Sequence, residues 1–163
     1  MNKIKFCGVF SIKCIGSTGE IKWEWNNHNL VVNQGLQHIL DTVFLAGSQK
    51  TSWYLGLMSS SPTVAAANTL ASHTGWTEFS SYSGSRKLYS ATRSNQTISN
   101  NSTKATFIVT NSGTVGGAFL CSTSTNSAGI LMCGVVSTEG NQSVIVGDTI
   151  EARYDFTDAD DGV

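Results

Sequence analysis

From Lys3 to Ile15 the chain alternates with a period of two. The even positions are Ile4, Phe6, Gly8, Phe10, Ile12 and Cys14, and the odd ones include Lys3, Lys5, Ser11 and Lys13. Successive side chains of a strand point to opposite faces, so this pattern predicts a strand with one core face and one wet face. Gly16-Ser17-Thr18-Gly19 has the composition of a turn. Glu20 to Trp25 alternates again, with Ile21, Trp23 and Trp25 opposite Glu20, Lys22 and Glu24. Together these segments predict an N-terminal β-hairpin over residues 1–26.

The period then changes. Leu36, Ile39, Leu40, Val43 and Phe44 recur at spacings of three and four, which define one apolar stripe of a helix. Asn33 before them is suited to cap the helix start, and Gly47 after them to stop it. The spacing predicts one short α-helix at about 33–45, too short to be stable alone in water. Its stripe is expected to dock on a sheet or close one end of a sandwich.

Period-two and short apolar segments return from Trp53. Strands are predicted over Trp53–Met58, Arg86–Thr92, Lys104–Thr110, Val115–Cys121, Gly129–Val136 and Thr149–Phe156. With the hairpin they make about eight strands, at spacings typical of an all-β fold, a jelly-roll-like β-sandwich. The stretch Ser59–Ser85 carries the only proline, Pro62, and no sustained period, so residues 59–85 read as one long loop. A loop of that length in a compact domain is usually functional or ordered by a partner. No linker divides residues 1–163, and the acidic end, residues 157–163, reads as a solvated tail.

Composition narrows the function classes. Charged residues are 13% of the chain and the net charge is −1. The ten Lys and Arg are scattered, which disfavours nucleic acid as a partner, because phosphate neutralisation needs clustered cations. No apolar run is long enough to span a bilayer as a helix. Lysines at positions 3, 5 and 13 interrupt any secretory leader, so the chain is expected to be made in the cytoplasm and to stay off membranes.

Candidate chemistry is sparse. His28, His38 and His73 form no close ligand pair, and Cys7, Cys14, Cys121 and Cys133 contain no CxxC, so neither metal nor cofactor is expected. Cys7 and Cys14 differ in parity along one strand and are expected to face opposite sides. No serine sits in a nucleophile-elbow pattern, and no glycine-rich loop leads into a helix, so no catalytic residue is assigned. Trp76 with Glu78 could engage a sugar, which keeps a carbohydrate-binding module as an alternative. Trp and Tyr are favoured both at interfaces and in cores. Trp25, His73, Trp76, Glu78 and Tyr82 are the candidate interface residues, while Trp23 and Trp53 are expected in the core.

Four stretches carry a resemblance. They are Leu30 to Asp41, Trp53-Tyr54-Leu55-Gly56-Leu57, His73-Thr74-Gly75-Trp76-Thr77-Glu78, and Gly113 to Leu120. Their order and spacing resemble small structural proteins of tailed bacteriophages: a strand pair, a short helix, a "W-Y-x-G-L" strand, a "GW-x-E" loop and a Gly-Asp before the final strand. The resemblance implies a non-enzymatic virion component made in the host cytoplasm, most simply a capsid decoration or cement protein. Its implied partners are the major capsid protein or another virion protein, and further copies of itself as a dimer or trimer. A tail or head–tail accessory role is the alternative within the virion. The N-terminal strands and the 59–85 loop are expected to supply much of the contact surface.

Overall fold

Two long antiparallel strands form the spine. β1 (Lys5–Ile15) and β14 (Thr149–Ala159) pair along their full length, from Lys5↔Ala159 to Ile15↔Thr149. The computed structural model describes residues 5–159, without the side chains of Lys5, Cys7 and Ala159. The facing of Cys7 and the last four residues of the expected tail therefore lie outside the described residues.

β2 (Ile21–His28) completes the hairpin with β1, slightly longer than the alternation over 1–26 predicts. β7 (Thr92–Ser94), β8 (Thr97–Ser99) and β9 (Ala105–Ile108) join the other side of β14. This gives a first sheet of six strands, ordered β2-β1-β14-β8-β7 with β9 also on β14. Between β8 and β9 the chain makes a 3₁₀ turn at Asn101–Thr103. Fully buried Asn100 bridges that gap, its Nδ2 donating to Ala152 O and its Oδ1 accepting from the Tyr154 amide.

The second six-stranded sheet contains β3 (Leu30–Val31), β4 (Tyr54–Met58), β5 (Glu78–Phe79), β6 (Lys87–Leu88), β11 (Gly117–Cys121) and β12 (Leu131–Val136). Its order is β3-β12-β11-β4-β5, with β6 also on β4, and every pair is antiparallel. β10 (Gly113–Val115) and β13 (Gln142–Val144) form a separate two-stranded ladder. The fold is an antiparallel β-sandwich with one short α-helix among the described residues.

The core lies between the sheets. Phe10, Ile12, Cys14, Phe107, Ile150 and Tyr154 from the first meet Leu55, Leu57, Ala118 and Val135 from the second. Fully burying one such large side chain is worth roughly 1.5–3 kcal/mol. The even face of β1 is the buried one, as its alternation predicts. β4, β11 and β12 instead read as continuous apolar runs because both their faces are covered. Their outer face holds a second cluster of Val32, Met58, Leu70, Trp76, Phe119, Cys121 and Leu131. The cover comes from residues 59–77.

Several expectations need correction. The predicted strand Arg86–Thr92 is split: Lys87–Leu88 pairs with β4 in one sheet, and Thr92–Ser94 begins a hairpin in the other. Its turn places Asn95 at φ 52, in the left-handed region that Asn tolerates. β14 continues through Ala159, so residues 157–159 are strand rather than free tail. Asp155 on that strand accepts hydrogen bonds from Ser99 Oγ and Arg153 Nε.

The helix, α1 (Asn33–Phe44), is present, but its ends and its facing differ from expectation. Val32 is the N-cap residue, without a side-chain cap, and Asn33 is the first helical residue. Gln34 fastens this end instead, its Oε1 accepting from the amides of Leu70 and Leu131. At the other end the amides of Leu45 and Gly47 converge on Asp41 O, and the left-handed residue is Ala46 at φ 55, not Gly47. The side of α1 that meets the sandwich carries buried Gly35 with half-buried His38, Ile39 and Thr42. A Cβ on Gly35 would stand 2.3 Å from Met132 O, so only glycine allows this approach. Most of the apolar stripe points away: Leu40, Val43 and Phe44 are exposed.

Candidate interaction surfaces

Three of the five candidate interface residues, His73, Trp76 and Glu78, gather on the outer face of the second sheet, but inside the domain. His73 stacks on Trp76 at 3.7 Å between centroids and 12° between planes. The Trp76 indole also packs against Phe119 at 4.9 Å and is 5% exposed. Arg86 lies over the Phe119 ring at 5.3 Å and grips Glu78, with Nη2 to Oε2 at 2.8 Å. The same guanidinium donates to the carbonyls of Thr123 and Asn126, locking the β11–β12 loop to the outer face of the second sheet. Tyr82 is buried against Phe107 in an edge-on contact at 4.8 Å, and burial pushes its phenol pKa well up. Trp25 and Tyr82 both belong to the main core between the sheets.

These residues hold the fold and present little surface. Trp76 offers no free aromatic face to a sugar, and the Glu78 carboxylate is occupied by Arg86. Trp25, Trp76 and Tyr82, expected at an interface, are buried within the domain, and the 59–85 loop covers the second sheet. Trp53, expected in the core, is half-buried at the edge of a groove.

The surfaces that are exposed lie elsewhere. At one end of the first sheet, Ile21, Ile15, Thr149 and Ile108 fall on one cross-strand row by register. Ile145 and Val146 precede β14 at the same end, and Ile21, Ile108, Ile145 and Val146 are all more than half exposed.

The second surface is at the opposite end, where Phe156 pairs with Ile98. β1 and β14 have 11 residues each, whereas β4 and β11 have 5, so the first sheet overhangs the second. Beneath the overhang lies a groove of about 370 Å³, lined by Ile39, Trp53, Tyr89, Ile98, Tyr154 and Phe156, among others. The Tyr89 hydroxyl donates to Tyr154 O, and the His38 ring steadies Trp53 at 5.7 Å. The exposed end of α1, with Phe44 at 75% and Leu45 at 73% exposure, lies in the chain between Ile39 and Gln49, both of which line the groove. Asp41 is the only charged residue of the helix, and among the described residues lining the groove Lys50 is the only charged one.

No protein-family model matches the chain, and no curated protein matches it. Among the described residues, no three His, Cys, Asp or Glu side chains gather where they could hold a metal ion.

The spacing of three and four marks the helix stripe, which is expected to dock on a sheet or close one end of the sandwich, whereas its Leu40, Val43 and Phe44 are exposed. A signal was available in Gly35. It lies outside the stripe, on a side where a close approach is possible, and so marks the side that touches the sheet.

Proposed function

We propose that the chain is a structural component of a tailed-phage virion, acting as a decoration or cement protein on the outer shell. The virion part of this reading is supported by the resemblance of the four stretches named above. The binding part is supported by one observation: the described surface carries two separate apolar patches, at opposite ends of the first sheet. Contiguous exposed apolar surface marks interaction sites in soluble proteins. A cement protein needs two independent contacts, because it must bridge neighbours. The Ile15–Ile21–Ile108–Ile145–Val146 end is assigned to the shell.

The test is occupancy on particles. A tagged chain is expressed in its natural host during phage production, and purified particles are quantified by mass spectrometry. Hundreds of copies per particle are expected, with occupancy at least tenfold lower for Val146→Asp. A dozen copies or fewer would replace the decoration role with a tail or head–tail accessory role. Complete absence from particles would overturn the virion reading.

A further inference from the structure

We infer that the end of α1 and the adjoining groove form a two-fold interface with a second copy of this chain. The inference goes beyond the virion reading and does not depend on it, because the contact would form in solution with no other protein present.

Three observations carry it. The first is the unpartnered stripe. Leu40, Val43, Phe44 and Leu45 are each more than half exposed. Four large apolar side chains together reach roughly the 300–600 Å² of the largest patches on monomers, which are often functional. With the groove, the surface approaches the ~800 Å² per partner of a standard interface.

The second observation is shape. A projecting group, Phe44 with Leu45, falls in the chain between Ile39 and Gln49, both of which line the recess under the overhang. A two-fold axis between them puts the projection of each copy into the recess of the other. This is the self-complementarity that an isologous contact requires.

The third is charge. Asp41 flanks the projection and Lys50 flanks the recess, so the same operation brings each Asp41 toward the other copy's Lys50. Asp41 lies in the C-terminal half of α1, where the helix dipole disfavours an anion and no basic residue stands in the last turn. A partner lysine there would relieve that charge. Asp41 on the projection and Lys50 in the recess are opposite in sign, so a two-fold contact between these elements is complementary to itself.

The experiment is sedimentation equilibrium of the full chain across micromolar concentrations, with circular dichroism confirming the fold of every variant. The wild type should be dimeric. Phe44→Asp should weaken the dimer about a hundredfold, as loss of an interface anchor does. Asp41→Lys and Lys50→Asp should each weaken self-association, by roughly tenfold given what exposed pairs contribute. Mixing these two single variants should restore a dimer, because each then faces the opposite charge. A monomer at all concentrations would overturn the inference. So would a dimer indifferent to Phe44→Asp, a trimer or larger ring, or a mixture no tighter than either variant alone. Shell occupancy is a separate measurement, so failure here and failure of the virion reading are distinguishable.

Discussion

Arg86 holds Glu78 in a two-pronged grip, with Nε donating to Oε1 at 2.9 Å and Nη2 to Oε2 at 2.8 Å. The arginine side chain is 7% exposed and the glutamate 26%, so the pair is largely withdrawn from water. Removing one partner of such a pair leaves the other charge uncompensated. Arg86→Ala should therefore cost about 3–5 kcal/mol. Part of that loss reflects the freed carbonyls of Thr123 and Asn126. Arg86→Lys should recover little, because an ammonium cannot span both carboxylate oxygens and the loop carbonyls. Urea unfolding of both variants checks this; a loss below about 1 kcal/mol for Arg86→Ala would show that solvent already screens the pair.

This pair also shows where sequence reasoning ended. The strand alternation of β1 and β2 was legible because each has one wet face and one dry face. Phe10, Ile12 and Cys14 are buried as their parity requires. β4, β11 and β12 gave no such signal, since loop 59–77 buries their outer face too. That loop has no period, so nothing along the chain announced that Leu70 and Trp76 are core residues. The 3.6-residue period revealed α1 but not its rotation, which depends on Met132, nearly 100 residues later. The tryptophan count gave candidates without direction: Trp25 and Trp76 face inward, while Trp53 reaches the groove.

The contact of α1 with β12 can be tested at Gly35. Alanine is the better helix former by about 1 kcal/mol, so propensity alone predicts that Gly35→Ala stabilises. The structure predicts the opposite, because the added Cβ would lie 2.3 Å from a backbone oxygen that cannot move aside cheaply. A net loss of roughly 1–3 kcal/mol in chemical denaturation is expected, the scale of overpacking. A stability gain would mean that α1 does not press on β12.

Asp148 makes stability depend on acid. Burial alone would raise its carboxyl pKa, but hydrogen bonds from Lys22 Nζ and the Ile145 amide, with the lysine charge, hold it below the ordinary 3.8. A carboxyl depressed in the folded state contributes stability above its unfolded pKa and loses it as pH falls through the folded one. Stability should therefore hold from neutral pH to about 4 and decline below that. Asp148→Asn should lower stability at pH 7 by about 1–3 kcal/mol and flatten the acid decline. The decline should not vanish, because Glu20 is also depressed, first by the hydrogen bond from Thr18. Urea midpoints at a series of pH values measure both effects.

The buried thiols should be silent in the native protein. Burial pushes Cys14 and Cys133 up to about 12, and Cys121 also upward. The thiolate is the nucleophile, so at pH 8 only about one in ten thousand of a thiol with that pKa is reactive. Mass-resolved labelling should find Cys14, Cys121 and Cys133 modified only at the rate of unfolding. Rapid labelling of Cys133 in the fold would contradict its place beside the Tyr154 hydroxyl, 3.4 Å away.

The long loop yields the sharpest contrast between a contact role and a covering role. If residues 59–85 served mainly as a contact surface, deleting residues 60–84 would leave a folded protein that fails to attach. The structure predicts that the deletion removes Leu70, Trp76 and strand β5, and exposes Met58, Phe119 and Leu131 to water. The shortened chain should then lose cooperative unfolding altogether. Trp76→Ala alone should cost about 3–5 kcal/mol, the range for truncating a buried aromatic. His73→Ala, which uncovers one face of the same indole, should cost only about 0.5–1.5 kcal/mol, the worth of an aromatic pair beyond its area. Thermal unfolding followed by tryptophan fluorescence ranks the three. A deletion variant that melts cooperatively at the wild-type temperature would return the loop to the surface and reopen it as a binding element.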